Sequence, residues 1–543
     1  MITEIISSFG ISDISSLLLT LSTIYVTCFY YNYFTRPNPL PGPFPLPIIG
    51  SSYQQIGYGF DDWLMSLHKK YGDMYEIILA GQRLIVLCNP NLIGNMNIPS
   101  TKTIYPNRLN EMGGFMEYGL GEAGVGVSFN NDTKSWKYNR QFLSQSLMTP
   151  SFNRQAIEWT NELWNEMESY WNNLGEDYEL NLIKWMRRFT NEMIFKIATG
   201  TKNDAIVSYY NMLINDNNEK ENEKFKESKN FIESIETYME GLFYFYAFGK
   251  FIRDNFPFIR GKVKKLLKNK DYLFDKLYTL IKEKRIEIEN TPLDQPLRHD
   301  MLTTYITANT PRDINTVKNA DADLLRPMTD KEIFGNIIDA MLGGTDTTAN
   351  FMCFVAYYLG HYPEVKQKLR QEFDRVLGND LTRPITIKDL DELEYCDAVT
   401  KEVYRHSPIV FFIARTNAQR DKVGGYDWPE GTSFQILATA IMKHKDYWTE
   451  PEKFDPDRFY RVEESDKYLL EKKKMNNTLP MFGGGIRMCP GRKLAIVELK
   501  SLLILIYRKY DIELVDMNAP LNYSSDFINV CKELVVKIKP RKF

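Results

Sequence analysis

Cys489 stands in the stretch FGGGIRMCPG, Phe482 to Gly491, where four glycines and one arginine crowd a single thiol. Glycine lets a backbone turn tightly and lets another group approach closely. Gly491 precedes RKLAIVELKSLLILIY, whose apolar residues recur at helical spacing. The free N–H groups of that helix start favour a thiolate at Cys489. Arg487 offers a cation for a nearby carboxylate, and Phe482 can cover one side of the site. The stretch reads as a thiolate on a glycine turn, set against a flat partner that carries acidic groups. A metalloporphyrin meets that description, with iron for the sulfur and a propionate for the arginine.

A second stretch, GGTDTT from Gly343 to Thr348, lies inside a helical pattern from about Met328 to Leu359. Thr329 and Glu332 form a capping box at its start, and Gly360 with Pro363 is expected to end it. Two adjacent glycines in a helix interior cost about 1 kcal/mol each against alanine. Either another helix packs closely there, or a flat ligand and a small diatomic molecule lie in the groove. Asp346 and Thr347, an acid and an alcohol, follow at once, as a proton relay requires.

Three weaker patterns accompany these. In KEVYRHSP, Glu402 and Arg405 are spaced i, i+3 on a helix and can pair. FDPDRF supplies Arg458. In WKYNR, Trp136 and Arg140 share one helix face, and FFIAR contributes Arg415. Alone, each reads as an ordinary surface or packing pair.

Together the stretches resemble the cytochromes P450, the heme-thiolate monooxygenases. That family's cysteine pattern is F-x-x-G-x-R-x-C-x-G, and Phe482, Gly485, Arg487, Cys489 and Gly491 fill its five fixed positions. GGTDTT resembles the family's oxygen-activation motif. The resemblance covers nearly the whole chain. It implies heme b ligated by Cys489, with Trp136, Arg140, Arg415 and Arg487 toward the propionates. It implies O2 as co-substrate, a relay through Asp346 and Thr347, and a structural triad of Glu402, Arg405 and Arg458. It also implies electrons from NADPH through a separate flavoprotein reductase, with cytochrome b5 as an optional second donor. The chain holds no flavin or iron–sulfur pattern of its own. Lys134, Lys137, Arg492 and Lys493 read either as a basic docking patch for that reductase or as ordinary surface charge.

The implied activity inserts one oxygen atom of O2 into a lipophilic small molecule of sterol, fatty acid or terpenoid class. By family position the pocket draws on the loop from about Tyr105 to Phe129, on Met341 and Leu342, and on Ile409 to Phe412. Pro490, directly after the cysteine, occurs in family branches of diverse chemistry and leaves the reaction subtype open. Two alternatives stand beside this reading: a heme-thiolate isomerase or dehydratase that does not use O2, and a non-enzymatic membrane heme protein. An intact Asp346-Thr347 pair favours the monooxygenase.

These residues need a large scaffold. The chain has 543 residues, 43% hydrophobic and 25% charged, with a net charge of -3. That balance argues against a nucleic-acid partner. Six scattered cysteines form neither a CxxC motif nor a disulfide framework, and the catalytic part is expected in a reducing compartment. Residues 1–13 form a short tail. Ile14 to Phe34 carries no charge and is long enough for the ~30 Å hydrocarbon core. Arg36, Lys69 and Lys70 follow it, which places the remainder on the cytoplasmic side. A single-pass endoplasmic-reticulum protein with a cytosolic catalytic domain is expected. Residues 35–50 hold alternating prolines from Pro37 to Pro47 and read as a stiff extended spacer. Residues 51–543 form the catalytic domain, mainly α with small β-sheets in the cytochrome P450 fold. Met74 to Pro90 reads as a hairpin turning at Gly81. Asn215 to Asn230 reads as a solvated surface segment. Tyr246 to Ile259, aromatic and broken by Gly249 and Pro257, fits a loop dipping into the membrane or a piece of core; the sequence leaves both open.

Overall fold

The computed structural model describes residues 11–100, 102–109, 113–120, 126–147, 150–214, 223–314, 325–378, 380–461 and 479–541. The tail expected over 1–13, the loop before Trp136 and the charged segment after Asn215 therefore lie partly outside the described residues. Helices dominate and the sheets are small, as expected. The first half holds α1 (Ile11–Phe34), α2 (Phe60–Tyr71), α3 (Gly113–Glu117), α4 (Thr133–Leu147), α5 (Pro150–Leu174) and α6 (Leu182–Thr199). Next come α7 (Ala205–Ile214), α8 (Glu223–Ala247), α9 (Lys250–Asn255), α10 (Pro257–Asn290) and α11 (Met301–Thr307). The last group is α12 (Asp330–His361), α13 (Pro363–Leu377), α14 (Ile387–Asp391), α15 (Glu394–His406), α16 (Ala438–Met442) and α17 (Arg492–Lys509).

The expected hairpin is β1 (Met74–Leu79) with β2 (Gln82–Leu87), paired antiparallel from Met74 against Leu87 to Leu79 against Gln82. Its turn places Ala80 and Gly81 at φ 49° and 81°. Further strands are β3 (Leu180–Asn181), β4 (Phe412–Thr416), β5 (Asp421–Val423), β6 (Tyr426–Trp428), β7 (Ser433–Leu437) and β8 (Tyr510–Leu514), and the four-stranded sheet runs β1-β2-β7-β4. β2 and β7 are parallel, so residues far apart in sequence close this sheet. β9 (Asn522–Ser525) and β10 (Asn529–Glu533) form a separate late hairpin.

α12 is the spine. It begins at the expected capping box: Glu332 N–H donates to Thr329 Oγ1 at 3.3 Å, and Thr329 N–H to Glu332 Oε2 at 2.9 Å. It ends where Gly360 and Pro363 led us to expect: His361 is its last residue, and Pro363 opens α13. A Cβ on Gly360 would lie 2.8 Å from the Leu514 side chain, so this glycine also serves packing. α12 is buried along most of its length and lies against α6. Thr190 Oγ1 donates to the Thr345 carbonyl at 2.7 Å, and Asn191 Nδ2 donates to Thr345 Oγ1 at 3.2 Å.

Among the described residues one helix is long and apolar enough to cross a membrane, Ile14–Phe34, and its side chains are exposed. The proline-rich stretch after it is clamped to the hairpin. The buried Glu76 carboxylate takes Arg36 Nε at 2.5 Å, Arg83 Nε at 2.8 Å and the Leu40 N–H at 3.4 Å. A Cβ on Gly42 would fall 2.1 Å from the Glu76 carbonyl oxygen. The aromatic segment left open above divides. Tyr246 and Ala247 are buried, whereas Phe251 is 57% and Phe258 95% exposed. Its first residues are core, and of its later ones Ile252 and Arg253 are buried while Phe251, Phe256 and Phe258 are exposed.

Candidate active site

The loop 482–491 closes on itself. Cys489 N–H donates to the Phe482 carbonyl at 2.9 Å, and Met488 N–H to the Gly485 carbonyl at 3.2 Å. Gly483 and Gly485 take φ of 71° and 66°, the left-handed region where a Cβ is strained. Gly484 lets the loop press on Asn97, whose side chain would lie 2.6 Å from an added Cβ. Gly491 is the N-cap of α17. Its N–H bonds to the Cys489 thiol, as expected, and Arg108, Arg140 and Arg492 add favourable charge. Burial outweighs them and pushes the thiol up. The expected bias toward thiolate is therefore overcome by desolvation in the chain alone.

Four guanidinium groups surround this loop. Arg487 donates to the carbonyls of Pro106 at 2.6 Å, Val127 at 3.1 Å and Asn130 at 2.8 Å. It also lies 4.3 Å over the Trp136 ring. Arg140, one turn further along α4, donates to the Met488 carbonyl at 2.7 Å. Arg415, on β4, donates to the Gly484 carbonyl at 2.9 Å. Arg108 donates to the Arg487 carbonyl at 3.0 Å. Sequence reasoning missed Arg108, because nothing around it forms a motif and only the fold brings it here. Among the described residues none of the four has a carboxylate within 4.0 Å. Burial, with Arg108, Arg415 and Arg140 beside it, pulls Arg487 down to about 8. Burial and then Arg108 pull Arg415 down to about 9. Buried cations that repel one another lack a counter-anion.

The two glycines of α12 do different work. A Cβ on Gly344 would lie 2.7 Å from Ile194 Cγ1 of α6, so this glycine is there for helix packing. A Cβ on Gly343 would meet nothing within 4 Å, and the residue is exposed in mid-helix. The open face at Gly343, the thiol and the arginines, which have no carboxylate within 4.0 Å among the described residues, suit a flat, dianionic iron porphyrin.

Asp346 and Thr347 are neighbours but do not face each other, as expected for i, i+1 on a helix. Thr347 Oγ1 donates to the Gly343 carbonyl at 2.6 Å. Asp346 turns to α6, with Oδ1 3.1 Å from Arg187 Nε. The angle is too poor for a hydrogen bond, and both atoms stay unsatisfied. Burial raises the Asp346 carboxyl to about 6 against the pull of Arg187. Arg187 reaches Glu236 at 3.4 Å, a partner the sequence did not indicate.

Glu402, Arg405 and Arg458 come together fully buried. Arg405 Nε and Nη2 grip the two Glu402 oxygens at 2.8 and 2.9 Å, and Arg458 Nε reaches Oε1 at 3.3 Å. Burial alone would raise Glu402, but Arg405 and His406 hold it down at about 2. Arg405 also donates to the carbonyls of Met442, Pro451 and Lys453, tying α15 to the segment before the cysteine loop. Lys134, Lys137, Arg492 and Lys493 are exposed. The Arg140 bond to the Met488 carbonyl ties α4 to the loop that leads into α17.

A helical scaffold that sets one thiol among arginines with no carboxylate in reach among the described residues fits a heme-thiolate protein. The family model for cytochrome P450 matches residues 40–542, and the chain belongs to that family. It is 25% identical to cytochrome P450 3A17 of Cavia porcellus, over 99% of this chain and 98% of that protein. It is 25% identical to cytochrome P450 3A5 of Homo sapiens, over 97% of this chain and 96% of that one. The chain is therefore an oxidoreductase, a monooxygenase of the family that uses heme b, O2 and electrons derived from NADPH through a reductase.

Proposed function

We propose that this chain is an endoplasmic-reticulum monooxygenase that oxidises a lipophilic small molecule of sterol, fatty acid or terpenoid class. Its electrons would come from a separate NADPH-dependent flavoprotein reductase. The observation that carries the reading is the Cys489 thiol ringed by four arginines, Arg415 and Arg487 buried and Arg108 and Arg140 half-buried, none with a carboxylate within 4.0 Å among the described residues. Cys489 would ligate the iron. Arg108, Arg140, Arg415, Arg487 and Trp136 would hold the porphyrin's two carboxylates, and Phe482, Gly485 and Gly491 shape the loop. When bound, heme b supplies O2 activation and the insertion of one oxygen atom into a C–H bond.

The protein's own part is positioning and proton supply. Thr347 holds a hydroxyl proton at the edge of the opening beside Gly343. Asp346, raised toward neutrality and poorly bonded to Arg187, can carry a proton inward from the part-exposed Glu236. Phe115, Phe129, Tyr246, Phe412 and Phe527 form one aromatic cluster, with centroids 4.6 Å apart for Phe115–Phe129 and 5.6 Å for Phe412–Phe527. Such a wall excludes water and favours apolar substrates. The exposed Lys134, Lys137, Arg492 and Lys493 suit an acidic reductase surface. The anchor and the free aromatic face at Phe251 and Phe258 suit a membrane surface.

The test is the carbon monoxide difference spectrum of the reduced protein, with Cys489→Ala beside it. A red-shifted thiolate band in the native chain that vanishes in the variant is expected. A folded, heme-supplied native chain without that band refutes the assignment of Cys489.

A further inference from the structure

Cys353 and Cys531 belong to none of the roles above. Cys353 lies on α12, two turns after Asp346, and Cys531 on β10, the second strand of the late hairpin. Both side chains are fully buried. The strand is pinned to the helix beside them. Cys531 N–H donates to Asn350 Oδ1 at 2.8 Å, and Asn350 Nδ2 donates to the Asp346 carbonyl at 2.6 Å. Asn350 stands three residues before Cys353, so both lie on the helix face that meets the strand. The two thiols meet there, with the Cys353 S–H directed at the Cys531 sulfur.

Buried cysteines in contact usually pack as small apolar side chains. The groups around this pair set it apart. Arg187 of α6, whose Nε stands 3.1 Å from Asp346 Oδ1, faces both sulfurs. Tyr507 faces Cys353 from α17. The Cys353 thiol hydrogen, then Arg187 and the Glu533 N–H, outweigh burial and the Glu533 carboxylate and draw the Cys531 thiol below its ordinary value. Burial pushes Cys88, Cys353, Cys396 and Cys489 the other way. The thiolate is the reactive form of cysteine. The β9–β10 register shifts between Cys531 and Glu533, so the ladder breaks beside the thiol, and Lys532 and Glu533 are exposed.

We propose that Cys353 and Cys531 form an oxidative modification site, at which hydrogen peroxide joins α12 to β10 through a reversible disulfide. Peroxide, little larger than water, enters at the break in the ladder. The Cys531 thiolate attacks one peroxide oxygen; the O–O bond breaks, and the sulfur becomes a sulfenic acid. The hydroxide released takes up the proton that Cys531 gave up on ionising. The Cys353 sulfur then attacks the sulfenic sulfur. The S–O bond breaks as the S–S bond forms, and hydroxide leaves with the Cys353 proton as water. Two thiols and one peroxide give one disulfide and two waters; the sulfurs lose the two electrons that peroxide gains. Hydrogen peroxide is O2 plus two electrons and two protons, so an O2-reducing enzyme that fails to oxidise its substrate supplies the oxidant itself. That last source alone rests on the heme-monooxygenase reading. The link fixes the hairpin that carries Phe527 against Phe412, and it takes the negative sulfur away from Arg187, which is left to Asp346 and Glu236.

The test is a peptide map. Full-length protein in detergent is treated with a small molar excess of hydrogen peroxide, denatured in N-ethylmaleimide and digested without reductant. A cross-linked pair of peptides holding Cys353 and Cys531 is expected, and it disappears after dithiothreitol. Cys88 and Cys396 are expected to carry the maleimide throughout. In Cys353→Ser the second thiol is missing, and dimedone is expected to trap the sulfenic acid on Cys531. In Cys531→Ser, Cys353 is expected to stay alkylated. Native protein in which both cysteines still carry the maleimide in full after peroxide overturns the proposal, and so does a cross-link that pairs either one with another cysteine instead. Because the oxidant is added, the map reads the same with or without heme. Loss of the carbon monoxide band from the native chain overturns the heme reading and leaves this site standing.

Discussion

Replacing Gly343 and Gly344 by alanine, one at a time, sets two chemically identical changes at adjacent positions against each other. Each substitution gains about 1 kcal/mol of helix propensity, so that contribution cancels in the comparison. The remainder is steric. At Gly343 the new methyl meets nothing within 4 Å. At Gly344 it meets Ile194 Cγ1 at 2.7 Å, Cδ1 at 2.9 Å and Cβ at 3.0 Å. Ile194 is β-branched and fixed on α6, so it cannot swing aside. Overpacking of this kind costs about 1–3 kcal/mol. An unfolding entropy of about 2.1 cal/mol/K per residue gives roughly 1 kcal/mol per kelvin for a chain of this length. Gly344→Ala should therefore melt about 1–3 °C below Gly343→Ala, followed by circular dichroism on the heme-free full-length protein in detergent. With heme supplied the order of damage reverses. The Gly343 methyl enters the opening and is expected to lower heme retention or disturb the resting spin state, while Gly344→Ala leaves the thiolate band intact. Equal melting of the two heme-free variants would refute the division of labour between these glycines.

The buried triad gives a second expectation. Glu402→Gln leaves Arg405 and Arg458 without their anion and should cost about 3–5 kcal/mol, read as a lowered denaturation midpoint. Because the folded chain holds Glu402 at about 2, below its unfolded value, its contribution is complete above the unfolded pKa and lost as pH falls toward 2. The variant should lack that part of the acid sensitivity. A third concerns Gly126, whose φ is 59° and whose Cβ would meet both Asp339 Oδ2 and the Gly335 carbonyl. Gly126→Ala should displace the loop and lower heme content, measured as the heme-to-protein absorbance ratio, more than Gly425→Ala. Gly425 also has positive φ, but a Cβ there meets nothing.

Short-range chemistry was legible in the sequence. The capping box at Thr329 and Glu332, the turn at Gly81 and the glycines beside Cys489 each depend on neighbours a few residues away. The Glu402–Arg405 pair is also local, though its third member, Arg458, needed the resemblance to be recognised. Contacts that cross the chain were not legible. Gly360 reads as a helix stop and stands one residue before the end of α12, but its packing against Leu514 was not legible. The two roles of Gly343 and Gly344 depend on Ile194, about 150 residues earlier. Arg108 stands in no motif. It acquires meaning only when the fold lays it beside the cysteine loop.

The clamp on Glu76 decides where this chain can be shortened to obtain a soluble catalytic unit. Arg36 and Arg83 share that one buried carboxylate, and the Leu40 N–H completes it. Removing residues through Phe34 takes away the apolar helix and leaves both cations in place. Removing residues through Leu40 strips Arg36 and a backbone donor from a carboxylate that stays inside the sheet. An ion pair therefore ties Arg36 to the globular fold, although it lies two residues after the apolar helix.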